Sequence, residues 1–165
     1  MHILLIQLGT FEQQGQMLLD KKHTEMENNK KIGRPTIGIV TDGLHIKKEK
    51  MTHYKAVDLA TGEEIFNRTV GNQTTCIGRF IAIVEAAKYI FRTSGVPRII
   101  YSDSKVAMQW YYKKLANTKR RCGEVQIAEI YLKVMAAKID DIQVLHWDSR
   151  ELGENPASFT DGDDM

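Results

Sequence analysis

Two aspartates, each closing a short β-branched apolar run, carry the clearest chemical signal in this chain. They are Asp42 in Ile39-Val40-Thr41-Asp42-Gly43 and Asp103 in Ile99-Ile100-Tyr101-Ser102-Asp103-Ser104. Each run reads as a strand, so each carboxylate is expected where a strand leaves the sheet. Acids at neighbouring strand ends can hold hard divalent cations against a phosphodiester. Acids at such places also serve as plain turn or cap residues, and by themselves these two leave both roles open.

The other reactive side chains are less organised. Cys76 and Cys122 lie far apart and form no CxxC pair, which argues against a disulfide framework or a zinc site and for a reducing, cytoplasmic setting. Cys76 has no His in its neighbourhood and reads as a packed residue rather than a nucleophile. His45, His53 and His146 show no metal spacing. Lys47 and Lys48 follow Asp42, and Lys113, Lys114, Lys119, Arg120 and Arg121 form a second basic group. Such runs can meet phosphates or simply form a solvated loop. A net charge of +2 permits a nucleic-acid partner without demanding one.

A chain of 165 residues suffices for one domain with a real core. Residues 1–34 are rich in Gln, Lys, Glu and Asn and read as a helical or flexible lead-in, a candidate contact for a protein partner. The apolar start, Met1 to Leu8, is too short to span a bilayer and lacks the cationic region of a secretory signal, so no membrane association is expected. Residues 35–165 form the domain. Thr36 to Asp42, Met51 to Leu59 and Glu63 to Thr69 read as strands, the last two joined at Ala60-Thr61-Gly62. A helix capped by Thr74 or Thr75 carries Ile77, Phe80, Ile81, Val84 and Phe91 on one stripe. Arg98 to Ser102 is a fourth strand, and a second helix carries Val106, Trp110 and Tyr111. One amphipathic helix spans Ala128, Tyr131, Leu132, Met135 and Ile139; Ile142 to Trp147 is a fifth strand. A last helix is expected to begin at Asn155, with Pro156 in its first turn. This order predicts an α/β architecture, a five-stranded mixed sheet with helices on both faces.

Several ordered motifs add a resemblance. The closing Gly153-Glu154-Asn155-Pro156-Ala157-Ser158-Phe159, the helix Cys76-Ile77-Gly78-Arg79-Phe80-Ile81-Ala82-Ile83-Val84 and the hairpin Asp58-Leu59-Ala60-Thr61-Gly62-Glu63 resemble a bacterial branch of the type 1 ribonuclease H family. In that branch the terminal motif reads Gly-Glu-x-Pro-Ala-Asp-Phe and the first helix opens Asn-x-Gly-Glu-Phe-Leu-Ala-Ile-Val. The resemblance covers residues 36 to 160 and implies a ribonuclease H-like fold. It also implies cleavage of the RNA strand of an RNA–DNA hybrid by two Mg²⁺ ions held by four carboxylates. Asp42 and Asp103 match the first and third of these acids. Arg79 occupies the place of the second and Ser158 that of the fourth.

Those two departures change the chemistry expected. Two divalent ions close together need several anionic oxygens, whereas Arg79 places a cation where a cation should bind and can bridge the two aspartates. Arg79 can equally be a solvated helix residue, because it lies off the apolar stripe. Glu85 on the same helix falls about 120° around the axis and should point elsewhere. Asp161 or Glu154 can substitute for the fourth acid more readily than any residue can for the second. Leu44 to Lys50 replaces the Gly-rich segment with which relatives approach the RNA 2′-hydroxyls, leaving Lys47 and Lys48 for phosphates. The reading favoured by the sequence is a weakly active or inactive nucleic-acid-binding or interaction module that needs no cofactor. The alternatives are an active Mg²⁺- or Mn²⁺-dependent ribonuclease H and a protein-interaction scaffold.

Overall fold

The computed structural model describes residues 34–159, so the lead-in before Arg34 and the acidic tail containing Asp161 lie outside the described residues. The described chain runs β1 (Ile39–Ile46), β2 (Met51–Asp58), β3 (Glu64–Thr69), α1 (Thr75–Arg92), β4 (Ile99–Ser102), α2 (Lys105–Lys113), α3 (Gly123–Val134), α4 (Ala136–Ile139), β5 (Gln143–His146) and α5 (Ser149–Leu152). The strands form one sheet in the order β3-β2-β1-β4-β5. β1, β2 and β3 form an antiparallel meander, whereas β4 joins β1 in parallel and β5 joins β4 in parallel. This is the mixed α/β sheet the sequence predicts.

Alternation along β1 divides the interior between two faces. Ile39 enters the main core with Phe80, Ile81 and Val84 of α1, Trp110 of α2 and Leu132 of α3. Val40 points the other way, into a small cluster with Val57, Trp147 and Ala157 that Leu152 of α5 helps to cover. Helices therefore lie on both faces, the long ones on one and the short α5 on the other. Each large side chain buried this way contributes roughly 1.5–3 kcal/mol before entropy is counted. No helix among the described residues is long and apolar enough to cross a membrane.

Four local expectations need correction. β1 ends at Ile46 rather than Asp42, because Leu44, His45 and Ile46 keep pairing with His53, Thr52 and Met51. Phe91 is 43% exposed although it falls on the predicted stripe. α1 is wedged between sheet and helices and buries more than one stripe, and in its last turns the cover shifts to Ile83, Ala87 and Ile90. The single helix predicted through Ile139 breaks at Met135 (φ −95°, ψ 7°), whose carbonyl accepts from both Lys138 and Ile139. Finally, no helix begins at Asn155. The last described helix is α5, capped by Asp148 and stopped by Gly153 at φ 82°. Asn155 opens a turn instead, its side chain accepting from the Ala157 amide at 2.7 Å and donating to the Thr41 carbonyl at 3.1 Å.

Candidate functional site

Asp42 does not sit at the end of a strand. It lies inside β1 opposite Lys55 of β2. What stops there is the other neighbour: the parallel pairing with β4 ends at Thr41 opposite Ser102, and Asp103 is the next residue of the chain. The two carboxylates meet where β1 loses one flanking strand but keeps the other. The opening that results is the geometric origin of the site.

A close helix-on-sheet contact delivers the third charged group. A Cβ placed on Gly43 would stand 2.5 Å from the backbone of Gly78 and Arg79, and one on Gly78 would stand 2.7 Å from Thr52 Cγ2. Two glycines thus let α1 lie backbone to backbone on β1, and Arg79 emerges beside Asp42. Its Nε donates to Asp42 Oδ1 at 3.1 Å and to the Gly43 carbonyl at 3.2 Å, and stands 3.8 Å from Asp103 Oδ1. Arg79 is therefore ion-paired with Asp42 rather than turned out to solvent. Charge attracts it to both aspartates, and the arginine's several donors suit a shared contact of this kind.

The electrostatics are unbalanced. Asp42 is 5% exposed and its carboxylate accepts from the Gly43 amide at 2.8 Å. Burial, reinforced by the neighbouring Asp103 charge, pushes its pKa up to about 7, against the downward pull of Arg79 and the Gly43 amide. Asp103 Oδ1 is buried and accepts no hydrogen bond. One guanidinium faces two acids, and the site leaves a carboxylate oxygen unsatisfied.

The remaining described acids do not complete a metal set. Glu85 pairs with Lys88 at 2.9 Å and Arg68 at 3.5 Å, away from Asp42, as its helical position predicts. Glu154 Oε1 accepts from the Ser158 hydroxyl at 3.0 Å. Ser158 itself lies three residues past Asn155, whose contact with Thr41 anchors the terminal motif beside Asp42. Asp161 lies outside the described residues. Among the described residues no three His, Cys, Asp or Glu side chains converge on one point. Two aspartates with a guanidinium on one of them do not fit a pair of divalent cations, and no step through a metal follows from this arrangement.

An open groove of about 470 Å³ adjoins the pair, bounded by Arg79, Asp103, Lys105, His146, Asp148 and Arg150. The predicted basic residues divide by role. Lys47 and Lys48 are exposed in the β1–β2 turn, and Lys113 and Lys119 are exposed at the end of α2 and in the loop after it. Lys114 caps α2 in the left-handed conformation at φ 59°. Arg120 donates to the Asn72 carbonyl at 2.9 Å, and the Asn72 side chain meets His45 at 2.7 Å, tying the basic loop to the end of β1. Arg121 serves the fold instead, pairing with the buried Glu129 and donating to the Ala116 carbonyl. Burial alone would raise Glu129, but Arg121 and the Ala116 amide bring it below the usual carboxylate value. Sequence reasoning missed Glu129, whose signal was a lone acid on the buried side of an amphipathic helix. It also missed Lys105 and Arg150, isolated cations with no motif around them.

No protein-family profile matches the chain, and no curated protein does. Solved structures do. LC11-RNase H1, isolated from compost by a metagenomic approach, is 12% identical over 68% of this chain and 84% of its own, with a TM-score of 0.47. RNase H1 of the halophilic archaeon Halobacterium salinarum NRC-1 is 12% identical over 72% of this chain and 90% of its own, with a TM-score of 0.45. An N-terminal RNase H domain from Mycobacterium tuberculosis, solved as a fusion with maltose-binding protein, is 9% identical over 68% of this chain and 89% of its own, with a TM-score of 0.43.

Proposed function

We propose that this ribonuclease H-like domain is a nucleic-acid-binding module in which an ion-paired arginine stands in place of a hydrolytic metal centre, with hybrid cleavage weak or absent. The contact of Arg79 Nε with Asp42 Oδ1 at 3.1 Å, close to Asp103, carries this reading. A divalent ion entering between the aspartates would meet a fixed positive charge at a few ångströms and lose part of the anionic field that should hold it. Asp42, its pKa raised to about 7 chiefly by burial, supplies less than a full negative charge near neutral pH.

The exposed cations Lys47, Lys48, Lys113 and Lys119, together with Lys105 and Arg150 beside the groove, support a phosphate backbone as the partner, an RNA–DNA hybrid foremost. Incubation with a labelled RNA–DNA hybrid and Mg²⁺ or Mn²⁺ tests the reading. The expected result is binding that weakens steeply with salt and no cleavage above an Asp42→Asn control. Cleavage that the control abolishes would establish the active ribonuclease instead. Absence of salt-dependent binding would leave the protein-interaction scaffold. The carboxylate account has its own check: Arg79→Glu combined with Ser158→Asp should gain a calorimetric Mn²⁺-binding signal that the parent chain lacks.

A further inference from the structure

The described sheet has two outer strands, β3 and β5, and they protect their free edges differently. An outer strand offers unpaired amides and carbonyls to any extended chain, and charge or irregularity along it is a common defence. β3 carries Glu64 and Arg68, both exposed, and its pairing with β2 shifts register at Ala56 and Val57. β5 reads Gln143-Val144-Leu145-His146 and contains no lysine, arginine, acid or proline. Backbone alternation assigns its outward groups. The Gln143 amide donates to the carbonyl of Arg98, just before β4, and the Trp147 amide donates to that of Ser102 in β4. The amide and carbonyl of Val144 therefore face away from β4.

Those two groups are already taken. The Tyr112 hydroxyl accepts from the Val144 amide at 2.8 Å and donates to the Val144 carbonyl at 3.0 Å. One hydroxyl thus supplies both main-chain contacts that a further strand would supply at this residue. The Val144 side chain is 2% exposed in the main core, so the strand cannot turn to hide these groups another way. Tyr112 reaches the edge from the last turn of α2, and its ring meets that of the buried Tyr111 edge-on, 5.5 Å between centroids and 83° between planes. Tyr112 is itself 53% exposed, so it buries little apolar area, and the contact with Val144 distinguishes it.

We propose that Tyr112 is an intramolecular guard that closes the β5 edge against strand addition by the β5 edge of a second copy of this chain. Two copies of one strand can pair about a twofold axis, and an uncharged strand meets no like charge within itself when it does so. The hydroxyl contact pre-empts that pairing at the middle of a four-residue strand. The guard operates whatever the groove beside Asp103 binds.

Sedimentation of the full chain and its variants from about 1 µM to about 100 µM tests the proposal, together with amide exchange at Val144. Tyr112→Phe removes the hydroxyl and keeps the ring, and Tyr112→Ser clears the edge. In Tyr112→Phe the Val144 amide, read at low concentration, should exchange at least about tenfold faster than in the parent. Tyr112→Ser should self-associate at least about tenfold more tightly than the parent, with Tyr112→Phe between the two. Adding Gln143→Lys to either variant should return association to the parent level, because an edge lysine repels a second strand. Val144 exchange unchanged in Tyr112→Phe would overturn the proposal, as would variants that associate no more than the parent. Association that Gln143→Lys fails to suppress would also overturn it, since that result assigns the effect to general loss of stability rather than to the β5 edge. Should Tyr112→Ser not fold, Tyr112→Phe and its Gln143→Lys double variant decide on the same criteria.

Discussion

At the scale of single residues, Arg79 and Asp42 define one another. Asp42 has a folded pKa of about 7 against an ordinary value of 3.8, so between those values the native state holds more protons than the unfolded chain. Stability should therefore fall as pH rises from about 4 to about 7 and level off above, by an amount on the order of a few kcal/mol. Denaturant unfolding at closely spaced pH values measures the slope, and Asp42→Asn should flatten it. Arg79→Ala removes the one cation that pairs with Asp42 among the described residues. It should carry the fall in stability on to higher pH and cost about 1–3 kcal/mol above pH 7, because the buried Asp42 carboxylate then lacks its partner. An unchanged profile in Arg79→Ala would mean that the guanidinium does not balance the acids. Arg121 belongs to another class. Its partner Glu129 is 5% exposed, so Arg121→Ala should cost stability, about 1–2 kcal/mol, and leave the salt dependence of nucleic-acid binding nearly intact.

At the scale of elements, the contact of α1 with β1 positions the site. Gly43 and Gly78 are needed for their missing side chains, not for unusual backbone angles. A methyl group on Gly43 would meet backbone at 2.5 Å, which cannot move without lifting α1 from the sheet. One on Gly78 would chiefly meet the Thr52 methyl at 2.7 Å and the His53 carbonyl at 3.1 Å. Gly43→Ala should therefore destabilise by at least about 3 kcal/mol and Gly78→Ala by somewhat less, as read from denaturant midpoints. Both substitutions should also separate Arg79 from Asp42 and remove its downward pull on the pKa of that acid. The strand edges matter in the same way: β4 is four residues long and β1 is eight, and this mismatch leaves Asp42 with one flanking strand.

At the scale of the whole molecule, hydrogen bonds tie the basic loop after α2 to the sheet. Arg120, Asn72 and His45 link that loop to β1 two residues before Lys47. If phosphates bind there, Lys47→Ala with Lys48→Ala should reduce the slope of log affinity against log salt by about 1–2, with thermal stability preserved. The same slope unchanged would remove the β1–β2 turn from the binding surface.

The order of the strands, the helices before β5 and the two aspartates that the fold brings together were legible in the sequence, because strand alternation and helical stripes are local properties that side-chain type records directly. Arg79 and Ser158 were likewise visible as departures from a resembled pattern. What the chain could not declare were relations between distant backbones. The fate of Arg79 depended on two glycines far apart in sequence approaching closely enough to aim it. The setting of Asp42 depended on β4 ending earlier than β1. Arg121 looked like one more member of a basic run until the fold placed Glu129 beside it. Residue type determines which forces are available; only tertiary packing sets the distances and the burial on which electrostatic strength depends.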